Sequence, residues 1–281
     1  DRNTPTRFNS ETTKNLARRL AENLEAPFVE LPIDSFINET VSQIDDLQIP
    51  SPSDMKTLHL TGFMKENIQA RDRSTRILAT LSSAFGGIFT CNANKTELTV
   101  GYGTLYGDLS GALAATADLW KHQIYALGRT LNRYFDKNMI PDEIFTVRPS
   151  AELSENQDIT KGLGDPLIYE YHDFLFRSFI EPWNRITPEE ILTWYSKNCL
   201  EEKLGTPVSI KSIFKTHHDF ITDLEKWWNL FAGFAVAKRI QAPPLLAVSR
   251  RPYGYDLRES QIAPYYTDTY IHLKNSLLSN G

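Results

Sequence analysis

Several polar stretches carry residue types able to handle a charged, phosphorylated ligand. After the apolar run Ile88-Phe89-Thr90-Cys91 comes Asn92-Ala93-Asn94-Lys95-Thr96-Glu97. At a strand end, a lysine there can meet phosphate and a carboxylate can hold Mg2+. Taken alone, such a turn is normally just a solvated connection. The segment Gly101-Tyr102-Gly103-Thr104-Leu105-Tyr106-Gly107-Asp108 has glycines that permit close backbone approach to an anion, or simply a turn needing positive φ. With Asp118 as the expected N-cap, Lys121 falls in the first turn of a helix, where a cation opposes the macrodipole. A bound phosphate would relieve that conflict, and a lysine reaching into solvent is the plain alternative. Asn67 and Arg71 share a helix face near Arg73 and Arg76, a polar patch or merely a solvated surface. In Arg148-Pro149-Ser150-Ala151-Glu152, Ser150 is the expected cap of another helix whose N-terminus could hold an anion.

Other chemistries find no support. The six histidines lack metal-binding spacing, and the Gly101–Asp108 glycines match neither the P-loop nor the dinucleotide fingerprint. No G-x-S-x-G elbow occurs, and neither Cys91 nor Cys199 has an evident base partner or a Cys-x-x-Cys neighbour. A net charge of −5 argues against nucleic acid as partner. The most apolar stretch, Leu230 to Ala237, is far shorter than the ~20 residues of a membrane span. The opening Asp1-Arg2-Asn3-Thr4-Pro5 has no signal-peptide character, so a soluble protein of a reducing cytoplasm is expected.

The elements that must position these residues follow from periodicity and punctuation. A helix is expected from Ser10 to Leu24 with Ser10 or Asn9 as cap, then a strand at Phe28–Leu31, a helix at Phe36–Ile44 and a loop at Pro50–Ser53. A long helix from Gly62 to Phe85 should bury Ile77, Leu78 and Leu81 and stop at Gly86-Gly87. Trp120, Ile124, Leu127 and Leu131 mark one face of the next helix. Alternating helices and strands indicate an α/β fold with a parallel sheet flanked by helices. Later, Thr187-Pro188-Glu189-Glu190 reads as a capping box with proline at the first helical position. Phe220–Lys238 is an amphipathic helix ended by Pro243-Pro244, and the last stretch reads as an extended tail or lid.

Four blocks in order resemble NAD synthetases: Lys65-Glu66-Asn67-Ile68-Gln69-Ala70-Arg71, Asn92 to Glu97, Val100 to Asp108, and Arg148 to Leu153. Lys238-Arg239-Ile240-Gln241-Ala242-Pro243-Pro244 and Ser249-Arg250-Arg251-Pro252-Tyr253-Gly254-Tyr255-Asp256 are similar to the glutamine-dependent branch, whose synthetase domain follows a nitrilase-like glutaminase. The resemblance implies an adenine nucleotide alpha hydrolase-like domain over residues 1–160 and a helical extension with a C-terminal tail over 161–281 of the same synthetase domain.

It further implies that nicotinic acid adenine dinucleotide is adenylated by ATP and then amidated, with ammonia from a glutaminase domain. Glu97 would be a Mg2+ ligand, Lys121 and Ser150 would bind ATP phosphates, and Arg71 and Arg73 would line the nucleotide site. Asn67 belongs with them. Asn94, in the phosphate-side turn, would bind substrate or ATP, and Lys95 would be a phosphate or ribose contact. Asp108 and the Gly107 backbone would face the deamido dinucleotide, with Asp108 and Lys121 as the catalytic residues and Asp256 and Arg258 reaching its nicotinate end. A homo-oligomer is expected. The family's S-G-G-x-D-S phosphate loop does not occur in the 281 residues, so Asp1 is expected to be the edge of a longer protein and the isolated chain to be weakly active or inactive. Rival readings are another ATP-pyrophosphatase amidotransferase such as a GMP synthetase, against which the Tyr102–Asp108 block speaks, and a non-catalytic nucleotide-binding module.

Overall fold

The computed structural model describes residues 2–253 and 264–279. They form two compact units, each assembled from separate stretches of the chain. The first comprises Asp1–Phe89, Thr104–Ser110 and Tyr125–Pro166, the second Thr90–Gly103, Gly111–Ile124 and Leu167–Gly281.

In the first unit, the Glu11–Asn23 helix starts where Ser10 Oγ accepts the Thr13 N–H, as its sequence predicts, and it buries Leu16 and Ala21. Arg2–Asn3 and Val29–Glu30 pair in parallel. The Asp34–Ile44 helix follows. The expected Pro50–Ser53 loop is the tip of an antiparallel hairpin of Gln48–Pro50 with Met55–Thr57, whose residues are all exposed and therefore give no alternating pattern.

The long helical run is present but not uniform, with α-helix at Gly62–Arg71, a π-helical stretch at Asp72–Leu78 and α-helix again at Ala79–Ala84. Its buried residues are Gln69, Ala70, Ser74 and Ser82, while the expected Ile77, Leu78 and Leu81 are only half-buried. The i→i+5 bonding of the π stretch rotates the following residues away from a 3.6-residue wheel, which displaces the predicted stripe. The run ends as predicted, with Gly86 at φ 74°. Gly87 N–H bonds Ser82 O at 2.8 Å and Gly86 N–H bonds Ser83 O at 3.1 Å, a Schellman closure.

The second unit is mainly helical. The Tyr169–Ile180 helix buries Leu175, Phe176 and Phe179, and the His217–Ala232 helix buries Phe220, Leu224 and Trp227. The predicted capping box at Thr187 and Glu190 forms, with Pro188 in the first turn. The expected Phe220–Lys238 helix is two, because the chain breaks at Gly233 before Ala235–Gln241. Asp268–Ser279 is helical rather than extended, and its Tyr270 is fully buried with its hydroxyl 3.1 Å from Glu225 Oε1. In place of the expected parallel sheet, the described residues of this unit show two single parallel bridges, Thr90 to Leu113 and Ala114 to Leu245. The observed architecture is helix-rich α/β with short strand pairs.

Candidate active site

In the second unit, Asn94 caps the Lys95–Val100 helix: its Oδ1 accepts the Glu97 N–H at 3.0 Å while Glu97 Oε2 accepts the Asn94 N–H at 3.0 Å. Gly101 closes this helix at φ 66°, where a Cβ would lie 2.9 Å from Ala235 Cα, so only glycine fits both the backbone and the packing. Glu97 Oε1 faces Lys121 Nζ at 3.8 Å and accepts from the Tyr169 hydroxyl at 3.3 Å. Both charged side chains are about four-fifths buried, Lys121 at 21% and Glu97 at 18% exposure. A carboxylate and an ammonium kept this close, with limited water, make a site where a phosphate's charge would be felt strongly.

Lys95 departs from expectation. It is fully buried, and its ammonium bonds Asp118 Oδ1 at 2.8 Å, Ser249 Oγ at 2.9 Å and Arg251 O at 3.0 Å. All three protons are used inside the protein. Asp118, in turn, is not the N-cap of the Lys121–Tyr134 helix. Its Oδ2 accepts the Val248 and Ser249 N–H groups at 2.7 and 2.6 Å. Burial works to raise the Asp118 carboxyl, but the bonds from Lys95, Ser249 and Val248 outweigh it and hold it below the ordinary carboxylate value. The start of the Lys121–Tyr134 helix is secured otherwise. Gln123 Oε1 accepts the Trp120 N–H at 2.9 Å, Thr96 Oγ1 the Lys121 N–H at 3.3 Å, and Asp173 Oδ2 the His122 N–H at 2.9 Å.

The first unit gathers four more expected residues around the Thr104–Asp108 turn. Asn67 Oδ1 accepts the Thr104 hydroxyl at 2.7 Å, Arg71 Nε donates to Leu105 O at 3.1 Å, and Asp108 Oδ1 accepts the Thr104 N–H at 2.8 Å. At Gly107 a Cβ would stand 2.9 Å from Thr104 Cβ and 3.2 Å from the Ala70 carbonyl carbon, so the turn lies flat on the helix. Arg73 instead reaches Thr4 O at 3.1 Å and Asn9 Oδ1 at 3.4 Å. Burial pulls its guanidinium below the ordinary value, against the opposing pull of the Asp108, Asp34, Asp72 and Glu152 carboxylates. Ser150 caps no helix, because Glu152 sits at φ 47° and turns the chain away. Its hydroxyl donates to Gln157 O at 2.6 Å and accepts the Glu152 N–H at 3.2 Å. Asp256 and Arg258 lie outside the described residues.

For Mg2+, the donor set is sparse. Among the described residues, the one trio of His, Cys, Asp or Glu side chains near enough to share an ion is Asp45, Asp46 and His59, which excludes Glu97. Mg2+ commonly needs only one or two carboxylates when substrate phosphates and water complete its shell, and the partly exposed Glu97 fits that role.

Residues 3–213 match the family described as NAD synthase. The chain belongs to that family. The glutamine-dependent NAD(+) synthetase of Thermotoga maritima is 32% identical over 187 residues, covering 66% of this chain and 30% of that protein. The chain thus spans under a third of that relative's length. The NH(3)-dependent NAD(+) synthetase of Helicobacter hepaticus is 31% identical over 201 residues, 71% of this chain and 68% of that protein. The fold is that of a solved glutamine-dependent NAD(+) synthetase from Cytophaga hutchinsonii, with TM-score 0.64 at 19% identity over 98% of this chain and 40% of the other.

Asp173, Thr96 and Glu152, whose bonds hold these turns, are not among the residues expected above. One signal was available for Asp173: an acid in the middle of Tyr169-Glu170-Tyr171-His172-Asp173-Phe174-Leu175-Phe176, where the neighbouring residues demand burial.

Proposed function

We propose that the full-length gene product makes NAD by ATP-dependent amidation of nicotinic acid adenine dinucleotide. The single observation that best supports this is the largely buried Glu97–Lys121 pair, within a chain of the NAD synthase family. The nicotinate carboxylate attacks the α-phosphate, an oxygen–phosphorus bond forms, and the bond to the β-phosphate breaks with its electron pair leaving on pyrophosphate. Ammonia then forms the carbon–nitrogen bond, AMP leaves with the carbon–oxygen pair, and the nitrogen loses a proton. Neither step needs a protein nucleophile; both need charge held in place.

Lys121 is assigned to the ATP phosphates, where its ammonium opposes the repulsion between carboxylate and triphosphate. Glu97 would hold Mg2+, which when bound supplies further neutralisation of phosphate charge. Asn67, Arg71, Gly107 and Asp108 are assigned to the dinucleotide substrates, and Asn94 to the turn that carries Glu97. Arg73, Ser150, Asp256 and Arg258 remain proposed substrate contacts of the same synthetase domain, and Lys95 is assigned to bracing rather than contact. Ammonia is proposed to come from glutamine through a partner glutaminase domain, in a cytoplasmic homo-oligomer.

The test is the full-length product with ATP, Mg2+, the deamido dinucleotide and either ammonia or glutamine. NAD and AMP should appear in equal amounts. A folded protein that forms no NAD with either nitrogen source would overturn the reading.

A further inference from the structure

Beyond the residues that would touch substrate, a buried carboxylate stands behind the pair that carries the proposed chemistry. Asp173 is 0% exposed on the Tyr169–Ile180 helix, and it accepts three bonds. Thr96 Oγ1 donates to its Oδ1 at 2.5 Å, and the His122 N–H and His122 Nδ1 meet its Oδ2 at 2.9 and 2.7 Å. The ring contact to a carboxylate assigns the imidazole proton to Nδ1. Thr96 precedes Glu97 and His122 follows Lys121, and the Thr96 oxygen also accepts the Lys121 N–H at 3.3 Å. One carboxylate therefore grips the immediate neighbour of each member of the Glu97–Lys121 pair.

We infer that Asp173 is the positioning residue of this site, fixing Glu97 and Lys121 through Thr96 and His122. The inference rests on the amidation reading above. Two physical arguments favour it. The first is cost: a desolvated carboxylate on a helix otherwise rich in buried aromatic and aliphatic residues is expensive, and an apolar residue of similar volume is commonly as stable or more so. Geometric definition is what a carboxylate adds there. The second is the helix end. With the Lys121 and His122 N–H groups already engaged, the N-terminus of the Lys121–Tyr134 helix offers a phosphate little from its backbone. The Asp173 charge also answers the macrodipole that Lys121 opposes. Phosphate recognition then falls to the Lys121 ammonium, whose placement depends on the turn Asp173 holds.

A matched control lies in the same unit. Asp223, half-buried, accepts from Trp227 Nε1 at 2.8 Å and meets His172 Nε2 at 3.0 Å, bonds that run to neither Thr96 nor His122.

The experiment measures kcat, KM for each substrate and Tm on the full-length product, with wild type first. Absence of NAD from the wild type sinks the amidation reading and this inference with it. Given an active wild type, Asp173→Asn should lower kcat on the order of 100-fold, the scale of a misplaced catalytic group, with KM held within about threefold. Asp223→Asn should lower Tm while kcat, read well below Tm, stays within about threefold. If Asp173→Asn does not fold, Thr96→Val carries the test, with about a tenfold loss of kcat at unchanged KM. Near-wild-type kcat in the folded Asp173→Asn protein, or a loss that Asp223→Asn reproduces, would overturn the inference while leaving the amidation reading intact.

Discussion

Each unit hides a carboxylate at the start of a helix, and the two are put to different use. In the first unit, Glu152 is 3% exposed and accepts from Ser10 N at 3.1 Å, Thr13 Oγ1 at 2.6 Å and Asn9 Nδ2 at 3.4 Å, all at the head of the Glu11–Asn23 helix. It comes from an irregular stretch at φ 47°, so it ties a loop to a helix. In the second unit, Asp173 comes from a regular helix and is bonded to residues adjoining Glu97 and Lys121. The physics of the two is the same: a buried anion stabilised by orphan N–H groups and hydroxyls. What differs is what stands next to the donors. A buried polar contact acquires catalytic meaning only from the neighbours it fixes.

Substitutions in the two regions should therefore behave differently. The largest effect should come from the pair itself, with Lys121→Ala and Glu97→Ala each lowering kcat on the order of 100- to 1,000-fold in steady-state NAD formation. Near-normal turnover in either would leave Asp173 with nothing to position. Next, Lys95→Met should strand Asp118 as an uncompensated buried charge and cost about 3–5 kcal/mol in denaturant unfolding. Replacing both partners by apolar residues should recover part of that loss, and a strictly additive double mutant would deny the coupling. Glu152→Gln should cost about 1–3 kcal/mol of stability and little kcat. A kcat loss without a stability loss there would erase the difference between the two carboxylates.

The smallest effect concerns acid. Because the folded Asp118 carboxyl lies below the unfolded value of about 3.9, its contribution to stability is present above that pH and is lost as the pH falls through the folded value. Wild type should therefore shed part of its stability below about pH 4, while a variant lacking both Lys95 and Asp118 should not show that component.

What could be read from the sequence was local. Ser10, the Thr187-Pro188-Glu190 box and the Gly86 stop announce themselves by chemistry within a single turn, and all three behave as read. The blocks around Asn67, Glu97, Asp108 and Ser150 likewise revealed the family. Roles set by distant partners were hidden. Asp118 looked like a cap because nothing nearby shows that Lys95 and Ser249 claim it. Ser150 looked like a cap until Glu152 turned the backbone left-handed to reach the Glu11–Asn23 helix. The π stretch at Asp72–Leu78 altered a burial pattern that periodicity alone could not phase.

The most direct test of the account is a single turnover of the full-length protein with ATP, Mg2+ and nicotinic acid adenine dinucleotide, with no nitrogen source, while pyrophosphate release is followed. The account predicts one burst of pyrophosphate per active site that requires the dinucleotide and is lost in Lys121→Ala. Release that ignores the dinucleotide, or that survives unchanged without Lys121, would contradict it.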